Sequence, residues 1–408
     1  MTSPDGARVI CGGQGLPTRA PCERKEDIGW RRVVRNFTPS WFSVNMGTGI
    51  VSILLHQLPY TAPPMLNISY AFFGLNAVLF IIFTALTTVR YVLYPEIWPA
   101  MIAHAGQSLF LGCFPMGFAT IINMMALACA SWGRGFIYLT WSFWWVDVVL
   151  SVAVCISMPY IVMSRHKPEL QTVTAAMLLT VVPAVVAAGT GSLIADILPN
   201  SGHAFTTLVA SYVLWGIGVF FTGCILALYF QRLTLHSLPA KEVIVSVFLP
   251  LGPMGQGGFG VQELGRVAIT ILPETTAFRS LGVGSAQSGE ILYVMGVFLG
   301  LVMWGFGMVW LAIALISIRR IKNFPFNMGW WGFTFPLGTM AACSGSLATN
   351  LDSDFFRVAT MILTSSVVLL WIVVAARTVY LSFTGALFYA PCLKDLRGKE
   401  QVSGLDRP

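Results

Sequence analysis

Long apolar runs, separated by short polar connectors, fill the chain between two polar tails. Each run is long enough to cross a bilayer as a helix, and none alternates as a membrane β-strand does. The pattern predicts an all-α polytopic membrane protein, with a ten-helix membrane domain at 39–385 and tails at 1–38 and 386–408. The predicted spans are 39–59, 67–90, 105–130, 138–162, 170–197, 204–231, 243–271, 288–318, 328–350 and 355–384.

The odd-numbered spans differ from the even-numbered spans in their prolines and glycines. Each odd span has a proline followed by small residues, as in "FTFPLGTMAACSG" (333–345), whereas the even spans have almost no interior proline. Proline removes a backbone hydrogen bond and kinks a helix, so the freed carbonyls need protein or water around them. We therefore expect five hairpins whose kinked odd helices line a central pore, with the even helices facing lipid. The predicted kinks lie at Pro39, Pro115, Pro183, Pro250 and Pro336.

Polar side chains on the odd spans are mostly neutral. A lumen of hydroxyl and amide groups suits a small anion that must both enter and leave, whereas a deep lysine or arginine would hold it too tightly. Taken singly, each such residue is better explained by a hydrogen bond between helices. The pore-lining candidates are Ser43, Asn45, Thr48, Thr120, Asn123, Thr190, Gln256 and Thr339.

Few ionisable side chains fall within the spans. Asp147 lies on even span four, where a proton-relay role and a structural role are about equally favoured. Glu263 and Arg266 are three residues apart on span seven, so they can pair on one helix face, as a structural pair or as a pore rim. We find no clustered nucleophile, base or metal ligands, so no catalytic residue, metal or cofactor is expected and a membrane enzyme is disfavoured.

The basic residues indicate the orientation of the chain. The chain is only 10% charged, against about a quarter in soluble proteins. Ten spans place both tails on one side, and that side holds twenty of the twenty-four lysines and arginines. The positive-inside rule therefore predicts that both termini are cytosolic, and the net charge of +7 reflects topology rather than nucleic-acid binding.

Two stretches resemble a known family. "NFTPSWFSVNMGTGIVSILLHQLPY" (36–60) and "GWWGFTFPLGTM" (329–340) are similar to sulfite-exporting fungal members of the tellurite-resistance/dicarboxylate transporter family. That family includes the bacterial TehA proteins, the plant slow anion channels and the fungal malate permeases. The resemblance covers about 40–385 and implies quasi-fivefold symmetry, a homotrimer and a phenylalanine gate, which the second motif places at Phe335. We infer that Phe114, before Pro115, shares this role.

The resemblance also implies a function. We expect export of sulfite or bisulfite across the plasma membrane, through a gated anion-conducting pore that confers sulfite tolerance. The alternative is a dicarboxylate (malate) permease or another small-anion channel of the same fold. The lack of a deep lysine or arginine on the odd spans mildly disfavours a dianion. Proton coupling through Asp147 or a histidine stays open.

Overall fold

The computed structural model describes residues 29–60, 63–275, 277, 284–321 and 323–393. These residues form helices and loops, with no strand among them. Parts of both predicted tails, 1–28 and 394–408, lie outside the described residues. The α-helices are α1 (Gly29–Arg35), α2 (Phe42–His56), α3 (Pro63–Leu93), α4 (Ile97–Ala103), α5 (Cys113–Cys129), α6 (Arg134–Ile161), α7 (Val182–Ile197), α8 (Ser201–Leu235), α9 (Leu251–Ile271), α10 (Ser285–Arg320), α11 (Thr334–Asn350) and α12 (Asp354–Phe383).

Each of five α-helices, which we call the inner helices, is preceded by a 3-10 segment. The helix either begins at the next residue or is separated from the segment by one or two residues. They are α2, α5, α7, α9 and α11, and the preceding 3-10 segments are Pro39–Trp41, Ser108–Gly112, Ala175–Thr180, Lys241–Phe248 and Met328–Phe333. We call α3, α6, α8, α10 and α12 the peripheral helices. Within the described residues, seven helical stretches are long and apolar enough to cross a membrane, and α7 is a shorter apolar helix.

The prolines of the odd spans lie where the 3-10 segment gives way to α-helix. Each of the five lies within three residues of the first residue of its α-helix. In the first turn of an α-helix a proline costs no intrahelical hydrogen bond, because that turn's N–H groups have no partner within the helix. The structure therefore shows a change of helix type near each proline, whereas the sequence argument placed the prolines inside continuous helices.

The inner helices contact one another in a closed order. Each packs on the next one along the chain, from α2 to α11, and α11 packs back on α2. Each inner helix also packs on the peripheral helix that follows it, most extensively α9 on α10. A Cβ placed on Gly296 of α10 would lie 2.5 Å from the Val261 carbonyl oxygen of α9, so glycine permits this close approach.

Burial separates the two sets of helices. In the most apolar stretch of α9, with its 3-10 segment, 89% of the residues are buried, against 28% for α10 and 11% for α3. The core of the protein is thus formed by the inner helices, and the peripheral helices expose rows of large apolar side chains such as Phe220, Phe298 and Ile362.

Candidate functional site

A cavity of about 880 Å³ lies at the amino-terminal ends of the inner helices. Every inner helix and its 3-10 segment contributes to the wall, so the cavity lies among all five. Representative wall residues on the inner helices are Ser43 and Met46 (α2), Cys113 and Met116 (α5), Val182 (α7), Gly252 (α9) and Phe335 (α11), and those just before them are Leu179, Leu249 and Trp331.

The wall is apolar with a few neutral hydroxyl groups. Among the described residues that line the cavity, the histidines are His104 and His166, the one carboxylic acid is Glu242, and none is a lysine or arginine. Nδ1 of His104 accepts the backbone N–H groups of Gly106 and Gln107, both at 3.2 Å. An anion in this cavity would meet hydroxyls, ring nitrogens and the Glu242 carboxylate rather than a fixed positive charge.

Residues 386–391, which follow α12, supply one side of the cavity wall. Ala386, Leu387, Tyr389 and Pro391 line it, and Phe388 stacks on Trp41 with ring centroids 5.2 Å apart. The segment turns at Gly385, whose φ of 74° favours glycine, and the Ala390 N–H donates to Asn36 Oδ1 at 2.9 Å. Part of the predicted C-terminal tail therefore packs against the membrane domain.

Phe335 lies in the cavity wall and is only 4% exposed. It occupies the first turn of α11, immediately before Pro336, and packs with the central apolar cluster that includes Trp331 and Leu337. A phenyl ring at this position presents an apolar surface to the end of the cavity. Such a surface is a barrier to a hydrated ion.

Beyond Phe335 the inner helices close on one another. Residues three or four apart share a helix face, so the cavity face of α11 continues from Phe335 to Thr339, and that of α9 continues from Gly252 to Gln256. The Thr339 hydroxyl donates to the Gly252 carbonyl at 3.2 Å as well as to its own helix. Gln256 and Thr339 are both buried at this level.

The same faces lead to an ion-pair cluster at the carboxyl-terminal ends, formed by Asp196, Glu263, Arg266 and Ser346. Arg266 Nε donates to Glu263 Oε2 at 2.8 Å, and Arg266 Nη2 donates to Asp196 Oδ2 at 3.0 Å. Ser346 Oγ donates to Glu263 Oε1 at 2.9 Å. The cluster therefore joins α7, α9 and α11. The Glu263–Arg266 pair was predicted, but Asp196 and Ser346 were missed because their contacts join spans far apart in the sequence.

Among the pore-lining candidates, Ser43 lines the cavity and the others lie between helices or deeper along the axis. Asn45 Nδ2 donates to the Asn76 carbonyl and to Asn76 Oδ1, and Asn76 Nδ2 donates to Thr120 Oγ1 at 2.9 Å. Thr48 Oγ1 accepts from Trp371 Nε1 at 3.1 Å. These three candidates thus join inner helices to peripheral ones. Asn123, Thr190, Gln256 and Thr339 are buried, and their role in a pore stays a prediction.

Phe114 and Asp147 lie away from the cavity wall. Phe114 packs edge-on against Phe42, with ring centroids 4.9 Å apart, and against Phe80 of α3. Asp147 is fully buried on α6, and neither carboxylate oxygen has a hydrogen-bond partner among the described residues. Phe114 thus packs against α2 and α3, and its part in a gate stays a prediction, while Asp147 is a buried carboxyl on a peripheral helix.

Sequence comparisons connect this arrangement to known proteins. The profile of the voltage-dependent anion channel family (SLAC1) matches residues 36–379. A sulfite efflux pump of Arthroderma benhamiae is 44% identical over 87% of this chain and 93% of its own length. The sulfite efflux pump of Saccharomyces cerevisiae is 26% identical over 76% of this chain and 78% of its own length. The malic acid transport protein of Schizosaccharomyces pombe is 22% identical over 79% of this chain and 73% of its own length.

Proposed function

We propose, from the premise that this chain belongs to the voltage-dependent anion channel family, that it exports sulfite or bisulfite. The observation that carries the proposal is the 44% identity to a sulfite efflux pump over nearly the full length of both chains. The chemistry of the cavity supports it, because neutral hydroxyl groups and the absence of lysine and arginine from its described wall suit a small anion in transit.

The proposed path runs along the axis of the inner helices. We propose ten crossings in five hairpins with quasi-fivefold symmetry, supported by the closed order of contacts from α2 through α11 and back. The inner helices α2, α7 and α11, which are not among the seven long apolar stretches, would cross together with their 3-10 segments or flanking residues. A 3-10 segment rises about 2.0 Å per residue, so six residues before α7 add about 12 Å to its length.

Phe335 is proposed as the gate, since it lines the cavity and Thr339, one turn further along the same face of α11, is fully buried. A membrane potential that is negative inside favours anion exit by about 2.3 kcal/mol per charge per 100 mV. That force sustains a gradient of more than about tenfold for a monovalent anion, so gated passive export suffices energetically.

The proposed location is the plasma membrane, with both termini in the cytosol and the cavity open to the cytosol. The excess of basic residues on the side of the tails supports this orientation. A homotrimer is proposed from the family resemblance, and the mass of the purified protein in detergent tests it.

Export is tested in a sulfite-sensitive yeast strain that lacks its own exporter. Expression of the full chain is expected to restore growth on sulfite and to lower intracellular sulfite, relative to an empty vector. Equal growth with and without the chain, at confirmed surface expression, contradicts the proposal.

Reconstituted vesicles distinguish sulfite from malate. Flux is measured at set voltage and pH with sulfite, malate or chloride as the only permeant anion. We expect sulfite flux to exceed malate flux. Malate flux equal to or above sulfite flux would favour the dicarboxylate permease instead.

A further inference from the structure

The ion-pair cluster lies on the faces of the inner helices that line the cavity. Asp196 lies about four helical turns beyond Val182 of the cavity wall on α7, and Glu263 lies about three turns beyond Gly252 on α9, so each pair shares a helix face. On α11, Ser346 lies about three turns beyond Phe335, on the same face. The cluster therefore lies at the far end of the path whose near end is the cavity.

Arg266 is held in a fixed position but is not enclosed. Its side chain is 40% exposed, while Nε and Nη2 donate to Glu263 and Asp196. Among the hydrogen bonds of the described residues, none uses Arg266 Nη1. Glu263, only 13% exposed, is fixed in turn by the Ser346 hydroxyl. One guanidinium N–H edge is thus left to face solvent or an anion at the mouth.

The charges of the cluster sum to minus one, because two carboxylates surround one guanidinium. We propose that the cluster is an exit filter, in which Arg266 contacts the leaving anion and Glu263 and Asp196 keep that contact weak. Anions outside then bind poorly at the outer mouth and compete little with an anion that is leaving, while the membrane potential sets the direction of net flux. The inference rests on the proposed export function and adds the residues that determine release.

The chain offers a matched control of the same composition. Arg357 on α12 pairs with Asp352 and Asp354, so it is also one arginine between two carboxylates. This triad lies at the start of a peripheral helix, on the same side of the protein as the carboxyl-terminal ends of the inner helices. Both carboxylates are highly exposed, and it does not lie on the cavity face. Its neutralisation changes the surface charge equally without touching the path.

The test measures how external anion inhibits efflux, in cells expressing the full chain under voltage clamp. The double variant Glu263→Gln, Asp196→Asn is expected to lower the half-inhibiting external sulfite concentration by about fivefold or more, because Arg266 is then unopposed. Arg266→Gln is expected to raise that concentration by a similar factor. Asp352→Asn with Asp354→Asn is expected to leave it unchanged.

If both pairs of substitutions shift the half-inhibiting sulfite concentration equally, the effect is one of general surface charge and the filter proposal is wrong. If neither pair shifts that concentration, the proposal is also wrong. If the cluster variants fail to reach the membrane, Ser346→Cys provides a second test. A positively charged thiol reagent applied outside is expected to strengthen inhibition by external sulfite and a negatively charged one to weaken it, with the reagent-treated native chain as control. Equal effects of the two reagents would also overturn the proposal.

The two proposals fail separately. If the native chain carries chloride but not sulfite, the proposed export of sulfite is wrong. The inhibition of efflux by external chloride can then still be measured, and it tests the role of the cluster independently.

Discussion

Helices α9 and α10 form one hairpin, yet they differ in composition and burial. α9 carries the ion pair, two glutamines and a higher density of glycines and is mostly buried, whereas α10 is the more apolar of the two and mostly faces outward. In a water-soluble protein the more apolar helix would be the buried one. Here the surroundings are lipid, so apolarity marks the periphery, and small or polar residues mark the interior.

The largest effect is expected when a side chain is added at one glycine of α9 and, as a control, at one glycine of α10. A Cβ on Gly255 of α9 would lie 2.5 Å from the Met340 backbone nitrogen, whereas one on Gly305 of α10 would meet nothing within 4 Å. Gly255→Val is expected to destabilise the protein by at least about 3 kcal/mol, because backbone atoms of α11 cannot move aside cheaply. Gly305→Val should behave as the native chain. Thermal unfolding in detergent measures both, and similar unfolding temperatures would contradict the packing account.

A second test compares phenylalanines. Phe335→Ala is expected to raise anion flux about tenfold, since the apolar barrier at the end of the cavity is removed. Phe306→Ala on α10, whose side chain is about half exposed and does not line the cavity, should leave flux unchanged. Flux into vesicles, normalised to the amount of folded protein, is the measurement. Native flux in the Phe335 variant would exclude it as the gate.

Hydrogen bonds between the two sets of helices should matter less. Asn76→Ala removes the amide that joins α3 to Asn45 on α2 and to Thr120 on α5, and we expect a loss of about 1 kcal/mol. Ser142→Ala on α6 removes an exposed hydroxyl bonded only within its own helix, and it should cost almost nothing. The unfolding temperatures of the two variants are measured, and we expect that of Asn76→Ala to be lower than that of Ser142→Ala.

The smallest effect is expected at Asp147. Its carboxyl is buried on a peripheral helix without a hydrogen-bond partner among the described residues, so an uncharged amide of the same shape should fit equally well. Asp147→Asn is therefore expected to keep sulfite flux within about twofold of native at every pH tested. A loss of pH-dependent flux in this variant alone would instead support proton coupling.

The sequence predicted the division into inner and peripheral helices because proline and glycine act locally. Helical structure covers each predicted span, and the two kinds of span differ in burial as expected. The type of helix was not predictable in the same way. A proline before or within the first turn is compatible with a kink or with a 3-10 segment, and the neighbouring helices decide between them.

Side-chain partners across helices were harder to predict than the helices themselves. The sequence does not distinguish whether Asn45 and Thr120 line a pore or form hydrogen bonds between helices. In the structure both form hydrogen bonds with Asn76. Asp196 gave no signal in span five, because its partner Arg266 is seventy residues away in the sequence. Such pairs depend on the packing of whole hairpins.

The packing of residues 386–391 against the cavity has a consequence for the order of folding. The hydrogen bond from Ala390 to Asn36 joins residues 354 positions apart, so it closes a loop that contains every helix from α2 to α12. Contacts of such separation form only after nearly the whole chain is made and its loop entropy is overcome. The cavity is therefore completed last, and a chain interrupted just after α12 would keep its helices yet lack one side of the cavity wall.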